Sequence, residues 1–246
     1  MKQYGLIGHP LSHSFSKKYF TEKFEKEHIL DCSYDLFDIK NIIQFPEILK
    51  NNPDLIGLNV TIPYKEKIIN YLTEIDEKAK IIGAVNTLFI NQQTNQLKGY
   101  NTDYFGFKKS LKPFLENHHE RALILGTGGA SKTVAFVLKE LNIDCLLVAR
   151  NPKNSNEISY NDINEYVIKH HQLIINTTPI GMFPNVADFP NFNYQQLTSN
   201  HLLYDLIYNP AETAFIKKGK LQGCVTLNGM EMLKLQAEKS WEIWNS

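Results

Sequence analysis

The sequence predicts an α/β protein of two α/β domains, and three observations carry that reading. Short apolar runs alternate with amphipathic stretches along residues 1–100. A strand, a glycine-rich turn, a helix and a second strand follow one another between Leu123 and Ala149. A final apolar stripe at helical spacing, Met230, Leu233, Ala237, Trp241 and Trp244, closes the chain and is expected to pack back on the first domain. With 43% hydrophobic and 21% charged residues in 246, the chain has the composition of an ordinary globular protein with a sizeable core.

Tyr4–Ile7 reads as a strand, and Ser16–Lys26 as a helix with Tyr19, Phe20 and Phe24 on one face. Ser33–Ile39 alternates as a strand and Ile42–Lys50 is helical. Leu55–Ile62 is a strand stopped by Pro63, Tyr64–Leu72 a helix and Ala84–Ile90 a strand. Parallel pairing of such units presents ligands at the carboxyl ends of the strands. Thr102 suits the N-cap of a helix from Asp103 to about Glu116. Ala130–Leu141 is a helix, with Val134, Val137, Leu138 and Leu141 at i, i+3, i+4 and i+7. Cys145–Ala149, Leu173–Thr177, Leu202–Ile207 and Cys224–Leu227 are strands, and Met230–Trp244 is the last helix. The expected organisation is a discontinuous domain of residues 1–102 plus 229–246, a second domain of residues 103–228, and an active-site cleft between them.

The glycine turn is the most specific local signal. Gly126 permits a tight turn, Gly128 lets a pyrophosphate approach the backbone, and Ser131 is small enough for close packing of helix on strand. The N–H groups of Thr127, Gly129 and Ala130 lie where a helix N-terminus favours an anion. Such a turn can also be only a turn, but strand, helix and second strand in register favour a dinucleotide. At the far end, where a ribose 2′-hydroxyl would be met by Asp or Glu, the chain has Arg150 and then Lys153. Basic groups there suit a 2′-phosphate, so the expected cofactor is NADP(H).

Charge and cysteine content exclude several function classes. Lys+Arg and Asp+Glu balance at 26 each, which argues against a nucleic-acid or membrane-surface partner. No run approaches the length of a signal peptide or a membrane span. Cys32, Cys145 and Cys224 are odd in number and far apart, and read as reduced thiols of a cytoplasmic protein. His118-His119 and His170-His171 lack partners at metal-ligand spacing, so no metal is expected, and His13 reads as structural.

Two segments carry the candidate chemistry. Asn59 and Thr61 face the same way in a strand that runs out at Pro63, and Lys65 follows in the first turn of the next helix. A lysine there opposes the helix dipole, although a surface lysine needs no explanation. Asp103 opens a helix, where an acid is well explained by the dipole alone. If the two meet, they form a proton-transfer pair suited to carbonyl–alcohol chemistry. Ser14 and Ser16 at the first helix suit either simple capping or a carboxylate.

Together these residues resemble the shikimate dehydrogenase family, enzymes that reduce 3-dehydroshikimate to shikimate with NADPH. Ser12-His-Ser-Phe-Ser16, Leu58-Asn-Val-Thr-Ile-Pro-Tyr-Lys65, Gly83-Ala-Val-Asn86-Thr and Gly99-Tyr-Asn101-Thr-Asp103 are similar to its motifs, in order. So are Gly126–Ser131, Asn176-Thr-Thr-Pro-Ile-Gly-Met182, Tyr204-Asp-Leu-Ile-Tyr208-Asn-Pro210 and Gly229-Met-Glu-Met-Leu-Lys-Leu-Gln236. The resemblance implies a substrate domain followed by a Rossmann-like NADP-binding domain, with Lys65 and Asp103 as the catalytic pair. It places the substrate carboxylate on Ser14 and Ser16, and its ring oxygens on Asn59, Thr61, Asn86, Gln236 and Tyr208. It adds Thr177 and Gly229 to the cofactor side. A monomer or homodimer acting on a small molecule is expected; a quinate/shikimate dehydrogenase or a non-catalytic NADP(H)-binding homologue are the rivals.

Overall fold

Two six-stranded sheets organise the chain, each inside its own unit. In the computed structural model, residues 1–11 and 14–246 are described, and Ser12 and His13 lie outside them. One unit comprises Met1–Thr102 with Ala237–Ser246, the other Asp103–Gln236. The chain thus re-enters the first unit at Ala237, inside the closing helix, rather than at Gly229, just before that helix begins at Met230.

The first unit contains β1 (Lys2–Gly8), α1 (Phe15–Lys26), β2 (Cys32–Asp38), α2 (Phe45–Asn51), β3 (Leu55–Val60), β4 (Glu74–Ile75), α3 (Glu77–Ile82), β5 (Thr87–Ile90) and β6 (Leu97–Tyr100). Its strand order is β2-β1-β3-β5-β6-β4. β1 pairs in parallel with β2 and β3, but β5 runs antiparallel to both β3 and β6. The sheet is therefore mixed, a correction to the parallel sheet expected. The connection from β5 to β6 is a tight turn closed by Asn91 N–H on the Gln96 carbonyl at 2.9 Å, far too short for a parallel crossover.

The helix expected over Tyr64–Leu72 is also corrected. The chain turns there and forms only a 3₁₀ segment, Lys67–Tyr71. The Lys65 carbonyl, which an α-helix would give to Ile69, is taken by Val85 N–H at 2.8 Å, and Ile69 N–H reaches Glu66 instead. Tyr64 is buried with its hydroxyl on the Ile39 carbonyl at 2.5 Å. Tertiary contacts have overridden an apolar spacing that suited a helix.

The second unit contains α4 (Thr102–Leu111, whose first residue belongs to the first unit), β7 (Arg121–Leu125), α5 (Gly129–Glu140), β8 (Asp144–Ala149), β9 (Glu157–Ser159), α6 (Glu165–His170), β10 (Leu173–Asn176), β11 (Leu202–Asp205), α7 (Ala214–Leu221), β12 (Val225–Leu227) and most of the first turns of α8 (Met230–Trp244). Its sheet is parallel throughout, in the order β12-β11-β10-β7-β8-β9. β7 and β10 are buried almost end to end, as apolar strands covered on both faces must be. From β7 the chain runs outward to β8 and β9, and from β10 it runs the other way to β11 and β12, so the carboxyl ends of β7 and β10 form the switch point where open α/β sheets bind ligands.

The end of α8 is locked into the first unit by an aromatic cluster. Tyr4, Phe20, Phe24, Tyr34 and Trp244 are buried together, with Trp241 packed against them. The Trp244 indole lies where a side chain on Gly57 of β3 would be, its Nε1 2.2 Å from the position of a Cβ, and its N–H donates to the Leu88 carbonyl at 2.8 Å. The ring has a fixed partner and cannot slide away. Gly57→Ala is therefore expected to destabilise the protein by about 1–3 kcal/mol through overpacking. Urea unfolding measures this, and an unchanged midpoint would mean the indole is free to move.

Candidate active site

In the first unit the candidate residues gather around a buried polar network. Asn59, next to last in β3, is only 4% exposed. Its Oδ1 accepts from the Tyr34 hydroxyl at 2.8 Å, and its Nδ2 donates to Ser240 Oγ at 2.9 Å, Thr87 Oγ1 at 3.2 Å and the Asn86 carbonyl at 3.4 Å. Thr87, Thr102 and Ser240 hydroxyls lie within 3.2 Å of one another, so each can give and take a proton in a closed ring. Asn86 Oδ1 accepts the Thr102 N–H at 2.6 Å, and its Nδ2 donates to Thr102 Oγ1 at 3.0 Å.

This last pair replaces the expected cap. Thr102 does not cap α4 from outside; it is the first residue of the helix, and the Asn86 carboxamide satisfies its orphan N–H. Asn101 is fixed beside it by donating to the Ala84 carbonyl at 3.0 Å. Because Val85 N–H holds the Lys65 carbonyl, residues 84–86 grip the Lys65 main chain and the two residues preceding Asp103. Thr61 lies just past β3, its N–H on the Ile7 carbonyl at 2.9 Å and its methyl against Gly8, where a Cβ would come within 2.4 Å. The structure thus brings Asn59, Thr61, the Lys65 backbone and Asn86 together within one unit.

Ser14 immediately precedes α1 but makes no side-chain cap. Its Oγ is buried with no partner among the described residues. Ser16, in the first turn, hydrogen-bonds Tyr34, whose phenol burial pushes well above its usual range, and Tyr34 carries the connection on to Asn59. Thr87 closes the motif that contains Asn86, whereas Tyr34 and Ser240 are not signalled by sequence position, except that Ser240 stands one helical turn after Gln236 on the same face of α8.

In the second unit the glycine turn follows β7. Gly126 has φ +112°, and a Cβ on it would meet Thr177 Oγ1 at 2.8 Å. Only glycine suits that backbone and that approach. Thr177 follows β10 and donates through Oγ1 to the Leu125 carbonyl at 2.7 Å, so the two segments meet at the switch point. Thr127, Gly128, Gly129 and Ala130 are exposed, and nothing lies within 4 Å of a Cβ built on Gly128. Gly128 precedes α5 without a side-chain cap. Ser131 is buried and donates to the Gly128 carbonyl at 2.6 Å. These residues fit a pyrophosphate: an open backbone at an uncapped helix start. Gly126 N–H donates to the Val148 carbonyl near the end of β8, and Arg150 follows that strand, exposed, with Lys153 exposed just beyond. A Cβ on Gly229 would lie 2.0 Å from the Leu206 carbonyl oxygen, a close approach that only glycine allows. Tyr208 is half-buried with its phenol pushed up by burial, and Gln236 is buried with Nε2 on the Leu233 carbonyl at 2.9 Å.

A buried carboxylate that the sequence analysis does not single out ends β11. Asp205 is inaccessible to solvent, and burial raises its pKa to about 6 against the opposing pull of three donors. An acid whose folded pKa lies above its unfolded value binds its proton more tightly in the folded state. Its contribution to stability is full below about pH 4, declines as pH rises to about 6 and is flat above. Buried His119 and His201, held low by desolvation, act in the opposite direction, gaining stability as pH rises. The Asp205 part is isolated by comparison with Asp205→Asn: relative to that variant, the wild type is expected to lose on the order of 3 kcal/mol between pH 4 and pH 6. Urea unfolding across that range measures it, and a constant difference would show that Asp205 titrates normally.

Known proteins resemble this chain along nearly its whole length. The shikimate dehydrogenase substrate-binding domain model matches residues 6–88. The shikimate dehydrogenase (NADP(+)) of Methanococcus vannielii is 37% identical, the match covering 98% of this chain and 90% of that protein. Shikimate dehydrogenase 1 from Peptoclostridium difficile superposes with a TM-score of 0.85 at 39% identity, covering 100% of this chain and 92% of the other. The shikimate 5-dehydrogenase of Thermus thermophilus, solved in complex with NADP(H) and shikimate, gives a TM-score of 0.86 at 28% identity, covering 99% and 93%. Related to these enzymes from end to end, the chain belongs to the shikimate dehydrogenase family.

Proposed function

We propose that this chain is an NADP-dependent shikimate dehydrogenase that reduces 3-dehydroshikimate to shikimate. The observation that carries the proposal is the end-to-end relationship to an NADP(+)-dependent shikimate dehydrogenase. The open glycine turn followed by Arg150 supports the cofactor, and the polar network behind Asn86 supports a hydroxylated substrate. A site built from hydrogen-bonding groups rejects analogues that leave those groups unpaired.

NADPH, when bound, supplies the hydride. Lys65 gives a proton to the substrate oxygen as it gains negative charge, and Asp103 orients the ammonium and takes part in the same transfer. Ser14 and Ser16 hold the substrate carboxylate; the buried Ser14 hydroxyl, without a partner among the described residues, supports this, because such a group needs an acceptor. Thr61, Asn86, Tyr208 and Gln236 meet the ring oxygens. Asn59, whose amide is committed to Tyr34, Thr87 and Ser240, acts on the substrate by fixing Asn86. Thr127, Gly128, Gly129 and Ala130 bind the pyrophosphate by backbone N–H groups, Gly126 and Ser131 shape that turn, and Thr177 and Gly229 complete the cofactor side. Arg150 and Lys153 meet the 2′-phosphate. The free thiols of Cys32, Cys145 and Cys224 support a cytoplasmic setting, and the enzyme works on its small substrate as a monomer or homodimer.

Lys65→Ala is expected to lower kcat by about 10²–10⁴ with little change in KM for the substrate. Steady-state NADPH oxidation measures this, and near-normal turnover would remove Lys65 from the chemistry. Arg150→Ala is expected to weaken NADPH far more than NADH, read from KM for each nucleotide; equal losses would mean that Arg150 does not meet the 2′-phosphate. Assaying shikimate with NADP+ beside quinate with NAD+ separates the proposed enzyme from a quinate/shikimate dehydrogenase, and turnover of neither would favour a binding-only homologue.

A further inference from the structure

We propose that Asp205 is a positioning residue, which holds the Thr177 loop and the Tyr208 segment in one arrangement at the carboxyl edge of the second sheet. The inference rests on the reading of Thr177 and Tyr208 as cofactor and substrate residues. Burying a carboxylate completely is costly unless its oxygens are saturated with donors. Here three donors from three segments converge: Asn176 Nδ2 at 3.0 Å and Ile207 N–H at 3.1 Å on Oδ1, and Thr213 Oγ1 at 2.6 Å on Oδ2. An apolar residue would fill the space, but only an acceptor with several lone pairs ties the three together.

Each donor sets a different piece. Asn176 ends β10, and its Oδ1 accepts both the Thr178 N–H at 3.1 Å and the Thr178 hydroxyl at 2.6 Å, which bends the chain directly after Thr177. Ile207 immediately precedes Tyr208, and its carbonyl accepts the Gly229 N–H at 3.0 Å. On the other side of Tyr208, the Asn209 carbonyl accepts the Phe183 N–H, which returns the connection to the Thr177 loop. Thr213 caps α7 through its hydroxyl and closes the segment that begins at Tyr208. Asp205 reaches neither ligand; it fixes the residues on either side that do.

Asp205→Ala, Asp205→Asn and Ile168→Ala are compared in the full chain, Ile168 being a core residue of the same unit in α6 that serves as a control for lost stability. For Asp205→Ala, NADP+ affinity by calorimetry without substrate and KM for 3-dehydroshikimate are both expected to worsen about 10- to 100-fold. Hydrogen exchange at residues 177–181 and 206–209 is expected to quicken. Asp205→Asn, which keeps an acceptor for Asn176 and Ile207, should restore both constants to within about threefold of wild type. Ile168→Ala should move neither. Equal effects in Asp205→Ala and Ile168→Ala, or none in Asp205→Ala, would overturn the positioning role. If Asp205→Ala does not fold, Thr178→Val serves: it should weaken NADP+ while leaving KM for the substrate unchanged, and unaltered NADP+ binding would count against the proposal. Because calorimetry needs no turnover, a wild type that binds NADP+ but does not reduce 3-dehydroshikimate would sink the proposed function without deciding the role of Asp205.

Discussion

The requirement that buried polar groups find partners shapes the first unit more than any other constraint. Asn59, Asn86, Thr87, Thr102 and Ser240 are all nearly inaccessible, and each would cost about 1–3 kcal/mol if left unpaired. They avoid that cost only by closing on one another, which fixes the end of β3, the start of β5, the first residue of α4 and the last turns of α8. A hydrogen-bonded ring of this kind has few alternative arrangements, so it specifies positions as well as holding them. Asn86 belongs to this ring, and the Lys65 main chain is held beside it through Val85. That is why a turn at Lys65, which forms no regular helix, is still a defined place.

Glycine performs the corresponding task where backbones must touch. At Gly126 the left-handed backbone and the nearness of Thr177 exclude a side chain, so the end of β7 lies against the end of β10. At Gly57 the excluded side chain makes room for the Trp244 indole. These close approaches have no slack, and a single methyl group at either one is felt because protein interiors are packed like crystals. Polar closure and glycine approach are two ways of removing freedom from segments that carry no regular hydrogen-bond ladder.

Much of this is legible in the amino-acid order, and the failures have physical reasons. The glycine turn is readable because its parts are contiguous and each follows from local sterics; α8 is readable at both ends because fifteen residues keep one apolar stripe. Lys65 stands out by residue type, but the helix proposed for it does not form, since Val85, twenty positions on, claims its carbonyl. Asn59 and Asn86 are visible as motif residues. Two of their partners, Thr87 and Thr102, stand in the same motifs, but Tyr34 and Ser240 do not: Ser240 is 181 positions from Asn59 and Tyr34 is 25 away, and no local pattern encodes such a meeting. The parallel sheet expected for the first unit fails at β5 because the alternation that identifies a strand is silent on its direction. Asp205 stands inside a quoted motif yet carries no signal of burial, because aspartate after an apolar run usually marks a turn.

The two units answer the same problem with different chemistry, and the difference follows from what each is proposed to do. The first uses only amides and hydroxyls, neutral groups that both donate and accept, around the segments leading to Lys65 and Asp103. A further buried charge there would act on the ammonium and the carboxylate through a medium of low dielectric and disturb the balance on which proton transfer depends. The second uses a carboxylate, which accepts from more directions than any amide and gathers three segments at once. Its charge is tolerated because three donors face it, and the role proposed for it is to hold segments in place, not to move a proton. A scaffold of neutral groups leaves the proposed proton-transfer pair undisturbed, whereas a group that only positions its neighbours can be an acid.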